Sequence, residues 1–264
     1  MEDLAGEKEV TVLIKYPIQT KESNKVFFEK KDQELTNLDW AKWAGWFDTD
    51  GFFGLEKTGL RLKDRQPVEM FSKIFETSLC YREYKTITPG PYGRKYIANI
   101  HAAELNGAKA VWFTKNIFPY LIKQEKKDYA ARLLGYRPES KDFTTWTADE
   151  LTYYLATFVE GDGSVRCRSL KKTKCLDARI SSSDVQYLSD IKYVADDKLR
   201  ITSTLKEVST YKTKKGIQTK YCLSIGCSQT NPNNLSFFQS LVEDGVMTLD
   251  RKKQRVQEYV DYIS

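Results

Sequence analysis

Asp50 and Asp162 close the same short pattern twice. Residues 43 to 51 read Trp-Ala-Gly-Trp-Phe-Asp-Thr-Asp-Gly, and residues 155 to 163 read Leu-Ala-Thr-Phe-Val-Glu-Gly-Asp-Gly. Each run is apolar, has small residues near its start, and ends in acid-x-Asp-Gly. The two terminal aspartates lie 112 positions apart, close to half of the 264-residue chain. One carboxylate per copy points to a two-fold-like site where the halves meet. If each run is a helix, its C-terminal end adds a negative partial charge beside the acid. With no cation close in sequence, both charges are expected to stay unneutralised. Two such carboxylates repel by about 1 to 4 kcal/mol at ~4 Å, for dielectrics of roughly 80 to 20. A fold keeps that arrangement when a cation relieves it. A hard divalent ion suits oxygen ligands, and magnesium is the natural candidate. Two carboxylates, metal ions and a phosphate make a site for phosphodiester hydrolysis. A single copy would read as a solvated helix cap or turn; the duplication carries the chemistry.

Basic residues supply the second signal. Arg166 and Arg168 alternate with Val165 and Cys167, so a strand there has one basic and one apolar face. Lys171, Lys172, Lys174 and Arg179 follow. Arg61, Lys63 and Arg65 cluster in the first half, and Lys212, Lys214, Lys215 and Lys220 in the second. A sheet with one basic face can lie along a DNA groove, with loop-tip cations on phosphates. The net charge of +6 and the 16 tyrosines agree with such a partner.

Other classes recede. No stretch is long and apolar enough to span a membrane, and the acidic start, Met1 to Glu9, does not read as a secretory signal. Five cysteines without a C-x-x-C pair argue against a zinc site or disulfide framework and read as reduced packing thiols. One histidine, His101, removes mechanisms that need several, and a triad built on it lacks a nucleophile-elbow sequence.

The elements that must position the acids come next. Thr36 or Asn37 caps a helix from Leu38 to Thr49, with Trp40, Trp43, Ala44 and Phe47 as its apolar stripe. Thr147 and Glu150 form a capping box for a second helix running to about Gly161. Glycines end both helices and turn the chain. The second half continues with strands from Ser164 to Arg168 and from Leu176 to Ser182, then a helix from Asp184 to Ala195. A hairpin of residues 201–210 and 220–227 and two closing helices complete it. The first half reads as strands at residues 52–57, 68–77, 81–88 and 94–104, its central helix short or missing, then helices at 108–123 and 126–134. Residues 137–146 read as a linker. Residues 1–36 form a charge-rich extension, with residues 10–14 as a strand that covers a sheet edge or belongs to a partly ordered arm.

Together the motifs, their spacing and the strand pattern behind them resemble the LAGLIDADG homing endonucleases of the single-chain type. The resemblance runs from about residue 37 to the end. It implies an α+β fold of two tandem αββαββα repeats, residues 37–136 and 147–264, with saddle-shaped antiparallel sheets. A central pair of motif helices would meet through Ala44, Gly45, Ala156 and Thr157, the last standing where the family has glycine. Asp50 and Asp162, next to Gly51 and Gly163, would hold Mg2+. Mn2+ would substitute, and Ca2+ would bind without cleavage. Lys126 and Lys252 match a family lysine that assists catalysis, with Lys123 and Lys253 as competitors. Arg61, Lys63, Arg65, Arg166, Arg168, Lys172, Arg179, Lys214 and Lys220 would contact DNA. The implied activity is monomeric: cutting both strands of a long asymmetric target across the minor groove, leaving 3′ overhangs. Two alternatives share the fold: an RNA-splicing maturase that binds intron RNA, and a DNA-binding regulator that has lost catalysis. The sequence names no host or compartment.

Overall fold

The computed structural model describes residues 21–87, 95–170, 173–213, 216–227 and 231–263. The strand expected at residues 10–14, and Lys171, Lys172, Lys214 and Lys215, lie outside the described residues. Helix α1 (Lys21–Glu34) precedes the first repeat. Its Phe28 stacks on Trp112 at 5.5 Å between ring centres, and Phe27 meets the same indole edge-on at 5.6 Å. Trp112 Nε1 donates to Asp32 Oδ1 at 3.0 Å. The described part of the extension is therefore a helix docked on the first repeat through Trp112.

The first repeat runs α2 (Asn37–Thr49), β1 (Gly51–Phe53), β2 (Lys57–Leu62), α3 (Arg65–Ile74), β3 (Leu79–Ile87), β4 (Lys95–Asn106), α4 (Gly107–Ile117) and α5 (Gln124–Leu134). The second runs α6 (Ala148–Gly161), β5 (Ser164–Leu170), β6 (Thr173–Ser182), α7 (Val185–Lys198), β7 (Ser203–Thr213), β8 (Gly216–Cys227), α8 (Pro232–Glu243) and α9 (Asp250–Ile263). The sheets have matching orders, β1-β2-β4-β3 and β5-β6-β8-β7, and every pairing is antiparallel. This is the expected α+β duplication.

The first repeat departs from expectation in three places. Residues 68–77, read as a strand, lie largely in α3. Val68, Phe71 and Phe75 recur at helical spacing and are fully buried, so period 3.6 overrides the strand-forming side chains. The central helix is therefore present in both repeats. Residues 52–57 are not one strand: Gly54 N–H donates to Lys57 O at 2.7 Å, and the chain folds back there. The helix expected over 108–123 stops at Ile117, because Pro119 lacks an amide donor, and a 3-10 turn (Phe118–Tyr120) follows.

Both motif helices begin as their caps dictate. Thr36 and Asp39 close a reciprocal box at α2, and Thr147 and Glu150 do so at α6. Just before α6, Trp146 is buried against Tyr120, Phe143 and Tyr154 and anchors the end of the linker. The helices then pack face to face. A Cβ added to Gly45 would lie 2.1 Å from Thr157 Oγ1 and 2.4 Å from Tyr154 O. Only glycine fits there. Thr157 fills the space that Gly45 leaves, and its hydroxyl donates to Lys42 O across the interface at 2.8 Å. The aromatic side chains of α2 turn the other way. Trp43 meets Phe71 at 5.2 Å, and Phe47 meets Phe113 at 4.8 Å, building the core of the first repeat.

The glycines after the aspartates do not turn the chain by a left-handed conformation. Neither Gly51 nor Gly163 has a positive φ. Their role is clearance: an added Cβ would come within 2.5 Å of Phe47 and 2.6 Å of Val159 O, respectively.

Candidate active site and nucleic-acid interface

Because α2 and α6 cross closely and end together, their last carboxylates arrive together. Asp50 is the C-terminal cap of α2 and Asp162 that of α6. Gly161 lies so near Asp50 that a Cβ there would sit 2.8 Å from Asp50 Oδ2. The carboxyl of Asp50 is pushed above the ordinary range, first by burial and then by the charge of Asp162; the Thr49 hydroxyl, Lys126 and Lys252 pull the other way. This is the repulsion expected of two acids at one site.

Asp162 is not bare, contrary to the expectation from local sequence. Lys123 Nζ lies 3.0 Å from Asp162 Oδ2. Lys123 precedes α5 in the first repeat and reaches across to the second repeat's acid, over the rings of Phe158 and Tyr187. The position matching Lys123 in the second repeat is Leu249, so no equivalent cation is offered to Asp50.

The earlier acid of each motif serves the backbone. Asp48 is fully buried and accepts from the amides of Ile122 and Lys123, and from the Tyr154 hydroxyl at 2.7 Å. Tyr154 in turn shares a hydrogen bond with Tyr187. Glu160, its counterpart, accepts from the amides of Thr248 and Leu249. Each acid thus holds the chain at the start of its repeat's last helix, where amides lack intrahelical partners. Burial raises Asp48 to about 6 and Glu160 to about 7, against the amide bonds that favour ionisation. Lys42 occupies the place in α2 that Tyr154 holds in α6; burial lowers its pKa, while the charge of Glu160 sustains its ammonium.

Lys126 and Lys252 are both third in their helices, α5 and α9. Lys126 donates to Gly51 O. Lys252 is 2% exposed and donates to the carbonyls of Val159 and Glu160 in the last turn of α6 and to that of Gly163 just beyond it. Burial draws Lys252 down to about 8. Asp50, Asp162, Lys126, Lys252, Gly51 and Gly163 are thus brought to one place, with the two glycine carbonyls already engaged by lysines. The competitor Lys123 belongs to the same cluster. Among the described residues, no group of three or more His, Cys, Asp or Glu side chains forms a metal cage. The donor set is two carboxylates.

The strands leaving the aspartates, β1 and β5, open the two sheets. In the second sheet, Val165, Leu176, Ala178, Ile180, Leu223 and Ile225 form the core face. The opposite face carries Arg166, Arg168 and Arg179. Asp177 lies between two of these arginines, 3.1 Å from Arg168 Nη2 and 2.5 Å from Arg179 Nε. The first sheet has the same device. Glu104 accepts from Arg61 Nη2 at 2.6 Å and Lys57 Nζ at 3.0 Å, and Arg61 stacks 4.4 Å over Phe52. The two cations hold Glu104 below the ordinary range in spite of burial. Lys63 is exposed beyond β2, and Arg65 opens α3, paired with Glu69. Lys220 is exposed on β8. Lys57 and Lys206 were missed in the sequence; both stand beside expected cations on the polar faces. His101 lies in β4 against Tyr81. All five cysteines are free thiols, and no helix among the described residues is long and apolar enough to cross a membrane.

Residues 149–243 match the family described as the LAGLIDADG-like domain. No curated protein sequence matches the chain. Among solved structures, the homing endonuclease I-WcaI bound to its DNA recognition sequence is similar over 92% of this chain and 95% of that one, at 14% identity and a TM-score of 0.54. The LAGLIDADG homing endonuclease I-GzeII, in complex with its DNA target, is similar over 87% of this chain and 90% of that one, at 13% identity and a TM-score of 0.49. Full-length DUF199/WhiA from Thermatoga maritima covers 91% of this chain and 66% of its own, at 11% identity and a TM-score of 0.44. The second repeat thus carries a LAGLIDADG-like domain, and the chain as a whole shares the fold of the homing endonuclease I-WcaI.

Proposed function

We propose that this protein is a site-specific DNA endonuclease that hydrolyses phosphodiesters with a divalent cation at Asp50 and Asp162. The observation that carries the reading is the meeting of these two carboxylates at the ends of α2 and α6, where the charge of Asp162 raises the pKa of Asp50. A site that crowds like charges in this way fits a hard cation. Both acids would hold it, and when bound it supplies Lewis-acid stabilisation of charge on the phosphate. Magnesium is the proposed ion, with manganese able to replace it and calcium able to bind without turnover.

The chain's own groups do the rest. Asp48 and Glu160 fix the starts of α5 and α9. Lys126 and Lys252 tie those helices to the ends of the motif helices and set the carboxylates in place. Lys123 supplies positive charge beside Asp162. The polar sheet faces, with Arg61, Arg166, Arg168 and Arg179, suit a double-stranded DNA groove. The DNA-bound homing endonuclease with the same fold supports that partner. Action as a monomer, 3′ overhangs and an intron-borne origin belong to the same proposal.

Selection from a randomised duplex library in magnesium tests it. The wild type should enrich cleaved duplexes of one long asymmetric sequence. Asp50→Asn and Asp162→Asn should each abolish double-strand cleavage and keep binding. Cleavage retained by both variants would overturn the assignment of the acids. Binding to duplex without cleavage by the wild type in any divalent metal would favour the regulator reading.

A further inference from the structure

The β7–β8 hairpin does not present one continuous face. Up to Glu207 its pairing is regular: Thr204 opposes Ser224, Lys206 opposes Cys222 and Glu207 opposes Tyr221. Beyond that point Ser209 opposes Lys220, Tyr211 opposes Gln218 and Lys212 opposes Ile217. Strand β7 advances two residues while β8 advances one, so Val208 is an extra residue, a β-bulge. Side chains alternate between faces with period two, so one extra residue exchanges the faces beyond it. Along β8 the alternation is unbroken, and Gln218 and Lys220 share the side of Cys222 and Ser224. Their partners Tyr211 and Ser209 therefore share that side with Lys206.

A hydrogen bond verifies the exchange independently. Thr210 Oγ1 donates to Glu207 Oε1 at 3.0 Å and lies 3.3 Å from Thr219 Oγ1. Residues three apart on an unbroken strand point to opposite faces. Glu207 and Thr210 meet because the bulge lies between them. The side of Lys206, Ser224 and Arg179 is the polar face, where a depression of about 510 Å³ is also lined by Val208. Tyr211 stands 44% exposed there. The first sheet has no such step: β3 and β4 pair from Leu79 with Ala103 to Ile87 with Lys95 without a shift.

We infer that the Val208 bulge is a specificity device: it places Ser209 and Tyr211, instead of Thr210 and Lys212, on the DNA-reading face of the second repeat, beside Gln218 and Lys220 of β8. This rests on the proposed duplex partner. The chemistry suits base edges in a major groove. A glutamine amide matches the paired donor and acceptor of adenine, a tyrosine ring offers apolar contact to a thymine methyl, and lysine serves guanine or a phosphate. The outer part of the second half-site should therefore be read by Tyr211, which an unbroken β7 would turn away, together with Gln218 and Lys220 across from it.

The test is base preference, position by position, from the randomised duplex library, with the full-length protein. Tyr211→Ala and Gln218→Ala should each relax preference by about tenfold at one or two adjacent base pairs, at the outer end of one half-site only. Thr210→Ala and Thr219→Ala, on the opposite face, should leave the profile unchanged. Deletion of Val208 should move the preference at those same base pairs and leave the other half-site intact. If the opposite-face variants shift base preference and Tyr211→Ala and Gln218→Ala do not, the inference is overturned. It is equally overturned if none of the four changes the profile of a wild type that does select a sequence. A wild type that enriches no sequence removes the duplex reading itself, a separate failure.

Discussion

Asp48 and Glu160 stand at matching places in the two repeats and hold the same kind of backbone turn with side chains of different length. Two residues later, Asp50 and Asp162 also match in place but differ in company. Asp162 has Lys123 at 3.0 Å; the corresponding residue in the other repeat is the apolar Leu249. Likewise Lys126 satisfies one carbonyl and Lys252 three. The duplication is therefore strict where it concerns the backbone and loose where it concerns charge. Helix ends, amides and carbonyls need the same partners in both halves. The proposed target, with two unlike half-sites, makes no such demand on side chains.

The largest test of this comparison lies at the helix crossing. Gly45 and Thr157 are equivalent positions with opposite requirements. Gly45→Ala forces a Cβ into the Tyr154 carbonyl, and chemical denaturation should show a loss of about 3 kcal/mol or more. Thr157→Ala removes one hydrogen bond and should cost about 1 kcal/mol. Equal losses would mean that the helices do not interlock as described.

The lysines come next. Lys252→Met strands two carbonyls of α6 and that of Gly163 and should cost about 3 kcal/mol, against about 1 kcal/mol for Lys126→Met. A larger loss at Lys126 would reverse the assignment of which half depends on its ammonium.

Acidity separates Asp48 from Glu160. The folded values, about 6 and about 7, exceed the ordinary 3.8 and 4.5. A raised acid binds its proton more tightly in the fold than in the unfolded chain. Its stabilising contribution is complete below the ordinary value and is lost as pH rises through the folded one. The melting temperature should therefore fall as pH rises from about 4 to about 7. Asp48→Asn should flatten the lower part of that slope and Glu160→Gln the upper part. A melting temperature that climbs across this range would contradict both. The smallest effect is expected from Lys123→Met. A part-exposed ion pair contributes about 0.2 to 1 kcal/mol, so its loss should barely move stability, while strand-resolved nicking should change more than in Leu249→Ala.

Much of this was legible in the sequence. The motif runs and the Thr147–Glu150 box are local patterns, and the helices that they specify form as read. The match of Lys126 to Lys252 comes from the resemblance alone; the start of α5 at Gln124, two residues before the expected one, makes both lysines third in their helices. Other features were not local. Residues 68–77 carry side chains that favour strands, and only the burial of Val68, Phe71 and Phe75 on one stripe decides for α3. The pairing of Lys123 with Asp162 spans the two repeats, so no window of sequence contains it. The bulge at Val208 was hidden because residues 204 to 212 are nearly all solvent-facing, which leaves no apolar alternation to reveal a broken register.

The Tyr154 hydroxyl on Asp48 has a consequence for any attempt to divide the chain. Were the polypeptide cut within residues 137–146, the acid would stay with one fragment and its hydroxyl with the other. Neither fragment could pair with a second copy of itself on the same terms. Two first halves would set Lys42 where Asp48 needs a tyrosine, and two second halves would press Thr157 against threonine where glycine is required. The fragments would be obligate complements, so function restored only on mixing would make the protein a split reporter.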